Sequence, residues 1–354
     1  MPILQALCLA TVLILAGCHS MSGNSEIERD HETLSSGASL ETRLSDPAVA
    51  FANARVNDGI VYTEGYFEHD GVTLHYVEAG QGELIIFYHG FPSFWYYFYD
   101  QMEAFKSRYR VVAVDALGAG LSDKPDDLTH YRAAALADHV DQLAQHLAGE
   151  AKFTLVGHDW GGALAMAFAE DRPERLHAVA SFNAPSMNVF LDLLRSNEVQ
   201  RERSKYMAVM SATSQQAVRE SPPGDRIWSE SYGGPLARGE ISKAEYDLFG
   251  AALRPAAASN GGFNWYRANV PLPDEIGDGD FWPSPRGSID IPALLVWGSE
   301  DRTFVLDFIE DMRANVPDLQ VEVINGANHW SSMTHPDISN QAIQRLLVRA
   351  AREN

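Results

Sequence analysis

The stretch Leu155-Val156-Gly157-His158-Asp159-Trp160-Gly161-Gly162 decides how the rest of the chain is read. An apolar run from Phe153 to Val156 leads into it, and Gly161, Gly162 and Ala163 leave it as the start of a helix. This is the context of a strand-to-helix elbow of the G-x-S-x-G type, in which a tight turn presents a nucleophile above a parallel sheet. Glycines flank the central position because a Cβ would crowd so sharp a turn. Here the central residue is aspartate rather than serine. A carboxylate in that place suits attack on an sp3 carbon, giving an ester that water then hydrolyses.

The flanking chain supplies the sheet. On the N-terminal side, Val61 to Phe67 and Val72 to Val77 alternate around the turn His69-Asp70-Gly71 and predict a hairpin. Glu83 to Tyr88 is a continuous apolar strand ending in His89-Gly90-Phe91-Pro92, and Arg110 to Val114 is another, ending in Asp115. Leu136, Val140, Leu143 and Leu147 make one stripe of a helix before the elbow strand. After the elbow helix comes a sixth strand, Leu176 to Phe182. Strands alternating with helices predict an α/β fold, a mostly parallel sheet covered on both faces. The rhythm breaks from 186 to 287 and resumes at Ile291 to Trp297, Val321 to Ile324 and a helix over 337–351. The expected organisation is a core in two parts, 58–185 and 288–354, with a helical cap, 186–287, inserted after the sixth strand.

Composition narrows the function. A formal net charge of −21 argues against nucleic acid, whose phosphates call for basic patches. The two cysteines, Cys8 and Cys18, both lie near the N-terminus, so the expected core has neither a disulfide nor a thiolate metal site. The twelve histidines show no helical pair at ligand spacing, and no metal is expected. Residues 1–18 read as a signal peptide, too short for a comfortable membrane span. Their ending, Leu15-Ala16-Gly17-Cys18, resembles a bacterial lipobox, which implies a lipidated Cys18 and an exported protein of the cell envelope or periplasm. Residues 19–57, rich in Ser, Glu, Asp and Gly in their first part, read as a flexible tether.

With these motifs assembled, residues 58–352 resemble the α/β-hydrolase superfamily, in its epoxide hydrolase and haloalkane dehalogenase branch. The resemblance is carried in order by His89-Gly90-Phe91-Pro92, Ser122-Asp123-Lys124-Pro125, Gly157-His158-Asp159-Trp160-Gly161, Trp297-Gly298-Ser299-Glu300-Asp301 and Ala327-Asn328-His329-Trp330. It implies Asp159 as nucleophile, His329 as the base that activates water, and Asp301 as the acid that orients His329. Glu300 is the rival for that last role, but the family acid stands three residues after the Gly of the Trp-Gly pair, which selects Asp301. Some dehalogenases use an acid after the sixth strand, where this chain has Asn183. The backbone N–H groups of Phe91 and Trp160 would form the oxyanion hole, with Pro92 cis. His89, Pro92, His158 and Trp265 are expected around the substrate. The family has Gly where Asn328 stands.

The two branches differ in what receives the leaving atom. An epoxide oxygen becomes an alkoxide and needs a neutral donor, which a phenol supplies. Gly262-Phe263-Asn264-Trp265-Tyr266-Arg267 resembles the second tyrosine site of epoxide hydrolases, and Arg203-Ser204-Lys205-Tyr206-Met207 resembles the first, although Met210-Ser211 replaces the usual Phe-Gln pair. A departing halide needs N–H donors, and Phe91 stands where many dehalogenases carry a donor Asn. Fluoroacetate dehalogenases carry Arg where Trp160 stands. The reading is an epoxide hydrolase converting a small apolar epoxide and water to a vicinal diol without a cofactor. A dehalogenase and a non-catalytic ligand-binding relative are the alternatives. A serine esterase is disfavoured, because Ser93 and Ser122 have no elbow around them.

Overall fold

The computed structural model describes residues 45–353. The apolar segment 1–18, Cys18 and the tether as far as residue 44 lie outside the described residues. Among the described residues there are eight strands: β1 (Thr63–His69), β2 (Val72–Ala79), β3 (Leu84–Tyr88), β4 (Arg110–Val114), β5 (Phe153–His158), β6 (Leu176–Phe182), β7 (Ala293–Gly298) and β8 (Leu319–Ile324). They form one sheet in the order β1-β2-β4-β3-β5-β6-β7-β8. The hairpin β1–β2 and the pair β2–β4 are antiparallel, and every other neighbouring pair is parallel.

The continuous apolar strands are buried on both faces, as a parallel sheet requires. Along β3 the period of two sends Leu84, Ile86 and Tyr88 into one core and Ile85 and Phe87 into the other. Val112 and Val114 of β4 divide in the same way from Val111 and Ala113. Among the described residues, seven helices belong to the hydrolase core: α1 (Pro47–Asn53), α2 (Tyr99–Phe105), α3 (Ala133–Ala148) and α4 (Trp160–Asp171), with three more near the C-terminus described below. The α3 stripe of Leu136, Val140 and Leu143 joins the first core, and Met102 and Phe105 of α2 join the second. Small residues let α4 lie close to the sheet: a Cβ on Gly162 would meet Ser181 Oγ at 2.5 Å.

Between β6 and β7 stand α5 (Met187–Ser196), α6 (Glu198–Arg203), α7 (Lys205–Ala212), α8 (Gln215–Glu220), α9 (Gly224–Arg238), α10 (Lys243–Leu253) and α11 (Ala256–Asn269). After β7 come α12 (Phe308–Arg313), α13 (Ser331–Thr334) and α14 (Pro336–Glu353), whose Ile343 and Leu346 close the second core together with α2. Among the described residues no helix is long and apolar enough to cross a membrane.

One boundary differs from the expectation. The tether expected over 19–57 includes α1, which is folded into the core, with Ala48 and Ala52 buried. Asp46 caps α1 by accepting from the Ala48 N–H and also accepts from Trp95 Nε1 at 2.6 Å. A cap of this kind contributes about 1 kcal/mol. The short apolar stripe Ala48-Val49-Ala52 was hidden by its neighbours' polar composition. The folded core therefore includes residues at least ten positions before the expected boundary.

Candidate active site

Parallel strands place their C-terminal ends along one edge of the sheet, and ligand sites of such sheets form there. The loops after β3, β5, β6, β7 and β8 carry, in turn, Phe91, Asp159, Asn183, Asp301 and His329. At the end of β5 the elbow puts Asp159 at φ +54°, a left-handed conformation that is strained for a side chain of this kind. Backbone bonds hold it: the Asp159 N–H donates to Phe182 O at 3.0 Å, and its carbonyl accepts from Ala163 N at 2.9 Å. The flanking glycines are required by space. A Cβ on Gly157 would meet Gly161 O at 2.0 Å, and one on Gly161 would meet Tyr88 O at 1.9 Å.

The three polar residues expected to act together do meet. His329 Nδ1 lies 2.9 Å from Asp301 Oδ2, and its Nε2 lies 3.5 Å from Asp159 Oδ2. Because Asp301 accepts the Nδ1–H hydrogen bond, Nε2 is the nitrogen turned toward Asp159. The two oxygens of Asp159 have different surroundings. Oδ1 accepts from the Phe91 N–H at 2.9 Å, whereas Oδ2 faces the imidazole. The Trp160 backbone N–H also hydrogen-bonds the Asp159 carboxylate. Phe91-Pro92 is cis. Side-chain exposure is 9% for Asp159, 20% for His329 and 1% for Asp301, so solvent reaches the base and hardly its orienting acid.

Electrostatics follow from this spacing. Burial disfavours the charged form of His329, but the charges of Asp301 and Asp159 and their hydrogen bonds outweigh it and raise its pKa to about 10. Burial pushes Asp301 upward, and the His329 charge and hydrogen bond together with the Thr303 N–H carry it down to about 2. Asp159 is likewise lowered, by His329 against burial. Asp301 is further held by the Asn183 amide, which donates to Oδ2 at 2.8 Å, and by the Thr303 N–H, which donates to Oδ1 at 2.9 Å. Ser331 Oγ in turn donates to Asn183 Oδ1. Asn183 therefore supports the acid, in the position where a dehalogenase of the other type carries the acid itself.

Two tyrosines stand on the cap side. Tyr206 of α7 and Tyr266 of α11 meet edge to face with centroids 6.4 Å apart. Tyr266 packs edge-on against Trp160 at 5.0 Å and Phe91 at 6.2 Å, over the two residues whose N–H groups reach Asp159. Burial raises the pKa of both phenols well above the ordinary value. Tyr266 and Asp159 add to the rise at Tyr206, and Asp159 adds to it at Tyr266. Both hydroxyls are consequently neutral donors at pH 7.

Three residues expected around the substrate do other work. The His89 ring is fully buried, with Nδ1 donating to Gly90 O at 2.7 Å and Nε2 accepting from the Ala116 N–H at 3.0 Å. It therefore staples the loops after β3 and β4 and has no polar atom left for a ligand. His158 is also fully buried, stacked on Tyr97 at 4.3 Å, with Nε2 donating to His329 O at 2.8 Å. Burial and the neighbouring His329 charge lower its pKa to about 3, so it supports the His329 loop as a neutral ring. Trp265 is buried, and its Nε1–H donates to Leu117 O at 2.8 Å, fastening α11 to the loop after β4. Pro92 is partly buried, and its carbonyl accepts from Tyr232 OH at 2.7 Å. Asn328, standing where the family has Gly, accepts from the Trp330 N–H at 2.9 Å and so caps the turn that follows His329.

Glycines that the sequence reading passed over set the spacing of the site. A Cβ on Gly90 would come within 2.2 Å of Asp159 Oδ1. Gly261 touches the Gly118 backbone, and a Cβ on Gly262 would lie 2.0 Å from the Phe91 ring. The pair Gly261-Gly262 thus lets α11 press Tyr266 down toward the elbow. Its only sequence signal was two glycines inside a helical stretch, which mark close approach. The Ser122-Asp123-Lys124-Pro125 segment supports the same contact: Pro125 O accepts from Asn264 Nδ2 at 3.1 Å, and Lys124 Nζ ties down the Gly120 and Ser122 carbonyls.

The elbow, the sheet order and the Asp–His–Asp arrangement are those of a hydrolase built on strand ends. The pattern of the alpha/beta hydrolase fold matches residues 83–222 and 243–336, and this chain belongs to that family. Two similar proteins are AB hydrolase superfamily protein YfhM of Bacillus subtilis and epoxide hydrolase 4 of Mus musculus. The first is 30% identical over 78% of this chain and 95% of that protein. The second is 27% identical over 85% of this chain and 84% of that protein. In structure the chain is similar to the Bacillus megaterium epoxide hydrolase crystallised with an inhibitor. That match has a TM-score of 0.72 at 26% identity and covers 80% of this chain and 99% of the other.

Proposed function

We propose that this protein is an epoxide hydrolase acting through an ester on Asp159. The observation that carries the reading is the pair Tyr206 and Tyr266, neutral phenols that both feel the charge of the Asp159 carboxylate. Similarity to epoxide hydrolases in sequence and structure supports it. The dehalogenase alternative is not favoured. A halide has no use for two phenols, and beside the Trp160 indole no second side-chain N–H donor stands at Phe91.

The steps follow from the geometry. Asp159 Oδ2, the oxygen not held by the Phe91 N–H, attacks an epoxide carbon and the C–O bond of the ring breaks. The tyrosines hydrogen-bond the leaving oxygen and give it a proton. With the Asp159 charge gone in the ester, the His329 imidazolium releases its proton to solvent, and a water molecule then loses a proton to the neutral Nε2 and attacks Cγ of the ester. The negative charge gathers on Oδ1, where the Phe91 and Trp160 N–H groups stabilise it; such donors contribute about 3–4 kcal/mol in comparable sites. Collapse breaks the bond between Cγ and Oδ2, and the departing diol oxygen takes the proton from His329. The new carboxyl returns its proton to the tyrosinate and His329 regains one from solvent, restoring the resting charges. The phenyl, indole and aliphatic surroundings suit a small apolar epoxide.

The test is intact mass on His329→Gln after separate exposure to epoxides and haloalkanes. Without the base, ester accumulates. A gain equal to the whole epoxide supports the reading, whereas a gain equal to the haloalkane minus its halide, with no epoxide adduct, replaces it with dehalogenation. We also propose that Cys18 is lipidated and that the enzyme is exported to the cell envelope, from the sequence Leu15-Ala16-Gly17-Cys18. Labelled palmitate incorporated by the native chain and lost in Cys18→Ala checks this.

A further inference from the structure

A second group of ligand-type side chains lies at the β1 edge of the sheet, on elements that take no part in the chemistry above. Asp70 sits in the β1–β2 turn at φ +49°, His130 in the short 3-10 turn Leu128–Tyr131, and His139 on α3. One donor atom from each lies within 4.8 Å of the other two, and His130 Nδ1 is 4.0 Å from Asp70 Oδ2. We propose that Asp70, His130 and His139 bind a divalent transition-metal ion of the zinc class, with solvent completing the coordination.

The observation pointing to a ligand is His139. It is 1% exposed, yet neither ring nitrogen has a hydrogen-bond partner among the described residues. Buried polar atoms are almost always satisfied, so an imidazole left with both nitrogens empty calls for an explanation. A nitrogen of that ring lies within 4.8 Å of donor atoms of Asp70, on an exposed turn, and of His130, which is partly exposed. Four-coordinate zinc holds N and O donors at about 2.0–2.2 Å, which sets neighbouring donors about 3.3–3.5 Å apart. Closing the present spacing takes rotations of the Asp70 and His130 side chains.

The chemistry of the set fits the same class of ion. Two imidazoles and one carboxylate suit zinc, cobalt or nickel better than magnesium or calcium, which take oxygen donors. Around the group, His69 meets the His139 ring edge-on at 5.8 Å and is itself held by Asp138 Oδ2 at 2.8 Å.

A comparable group, Asp46, His75 and Asp115, lacks this feature. His75 engages Asp115 Oδ2 at 2.8 Å and Glu64 Oε2 at 3.2 Å, and the Trp95 backbone and indole N–H groups occupy Asp115 and Asp46. Its donors are already engaged in hydrogen bonds. At His139 they are not. A metal there would clip the hairpin tip to α3 and to the turn before it, a structural role distinct from turnover.

The test uses the full chain, stripped with a chelator and then titrated with zinc chloride and, separately, cobalt chloride. Calorimetry should show a single ion bound per chain, and thermal unfolding should shift upward by several degrees at saturating zinc. His130→Ala and Asp70→Asn, both at accessible positions, should each weaken binding by at least about 10-fold and remove the thermal shift, with circular dichroism and epoxide turnover unchanged. His329→Gln should leave binding intact, which separates this site from the catalytic imidazole. Absence of binding at about 100 μM zinc, or binding that both variants leave unchanged, overturns the proposal.

Discussion

Nε2 of His329 stands 3.5 Å from Oδ2 of Asp159, so the base and the attacking oxygen share one short line. In the resting enzyme that line joins an imidazolium to a carboxylate, because Asp159 and Asp301 together hold His329 at about 10. Forming the ester removes the Asp159 charge. His329 then loses one of its two charged partners, its pKa falls, and the imidazolium can give up its proton and stand neutral at the step where water must be deprotonated.

The first prediction tests that coupling. In Asp159→Asn, His329 should titrate well below about 10 and closer to the ordinary value of about 6.5, read by NMR of the ring protons. Turnover should fall by about 10⁴ or more, as for other nucleophile losses. An unchanged titration would mean that Asp301 alone sets the proton affinity.

The pH dependence of stability carries a definite sign. His329 is raised above its unfolded value, so its contribution is full below about pH 6.5 and fades as pH rises through about 10. Asp301 is lowered, so its contribution is full above about pH 4 and fades as pH falls through about 2. Urea midpoints of the native chain and His329→Gln should therefore converge between about pH 7 and pH 10. A constant difference across that interval contradicts the ion-pair account.

The tyrosines should act on ring opening alone. Tyr266→Phe and Tyr206→Phe should each slow single-turnover ester formation from an epoxide by about 10²-fold, and the double variant by more. Hydrolysis of an ester already formed should change little. Equal losses in both half-reactions would point to damage of the cavity instead of a lost donor.

Asn183 offers the converse case. Removing its amide in Asn183→Ala takes one of the two non-histidine donors from the Asp301 carboxylate. Ester formation should be nearly unchanged while ester hydrolysis slows by about 10-fold, since only the second step needs an oriented His329. Equal effects on both steps would assign Asn183 to the general architecture of the loop.

Gly90→Ala tests the steric argument. Its Cβ would fall 2.2 Å from Asp159 Oδ1 and 2.5 Å from Asp159 Cβ. The variant should fold and lose most activity, with the circular dichroism spectrum as the control. Retained turnover would show that the elbow has room to give.

How far the sequence reached depended on the kind of interaction. Strand and helix patterns are local, and β4 and β6 fall where the apolar runs place them. Asp159, Asp301 and His329 were legible because each follows a strand end in a short recognisable segment. That His89 has both nitrogens engaged and that His158 is stacked under Tyr97 could not be read from composition, because both depend on partners from other loops. Helix α1 was missed because its anchor, the Asp46–Trp95 bond, joins residues far apart in the chain.

By itself the sequence determined the alternation of strands and helices, the elbow with its carboxylate, and the order of the acid and base along the chain, all of which rest on local periodicity and turn sterics. The tertiary structure alone decided which oxygen of Asp159 faces the base, which residue steadies Asp301, how closely α11 brings Tyr266 to the elbow, and that Asp70, His130 and His139 converge. Those relations depend on distances of a few ångströms between segments separated by tens or hundreds of residues. Packing sets such distances, and no local pattern encodes them.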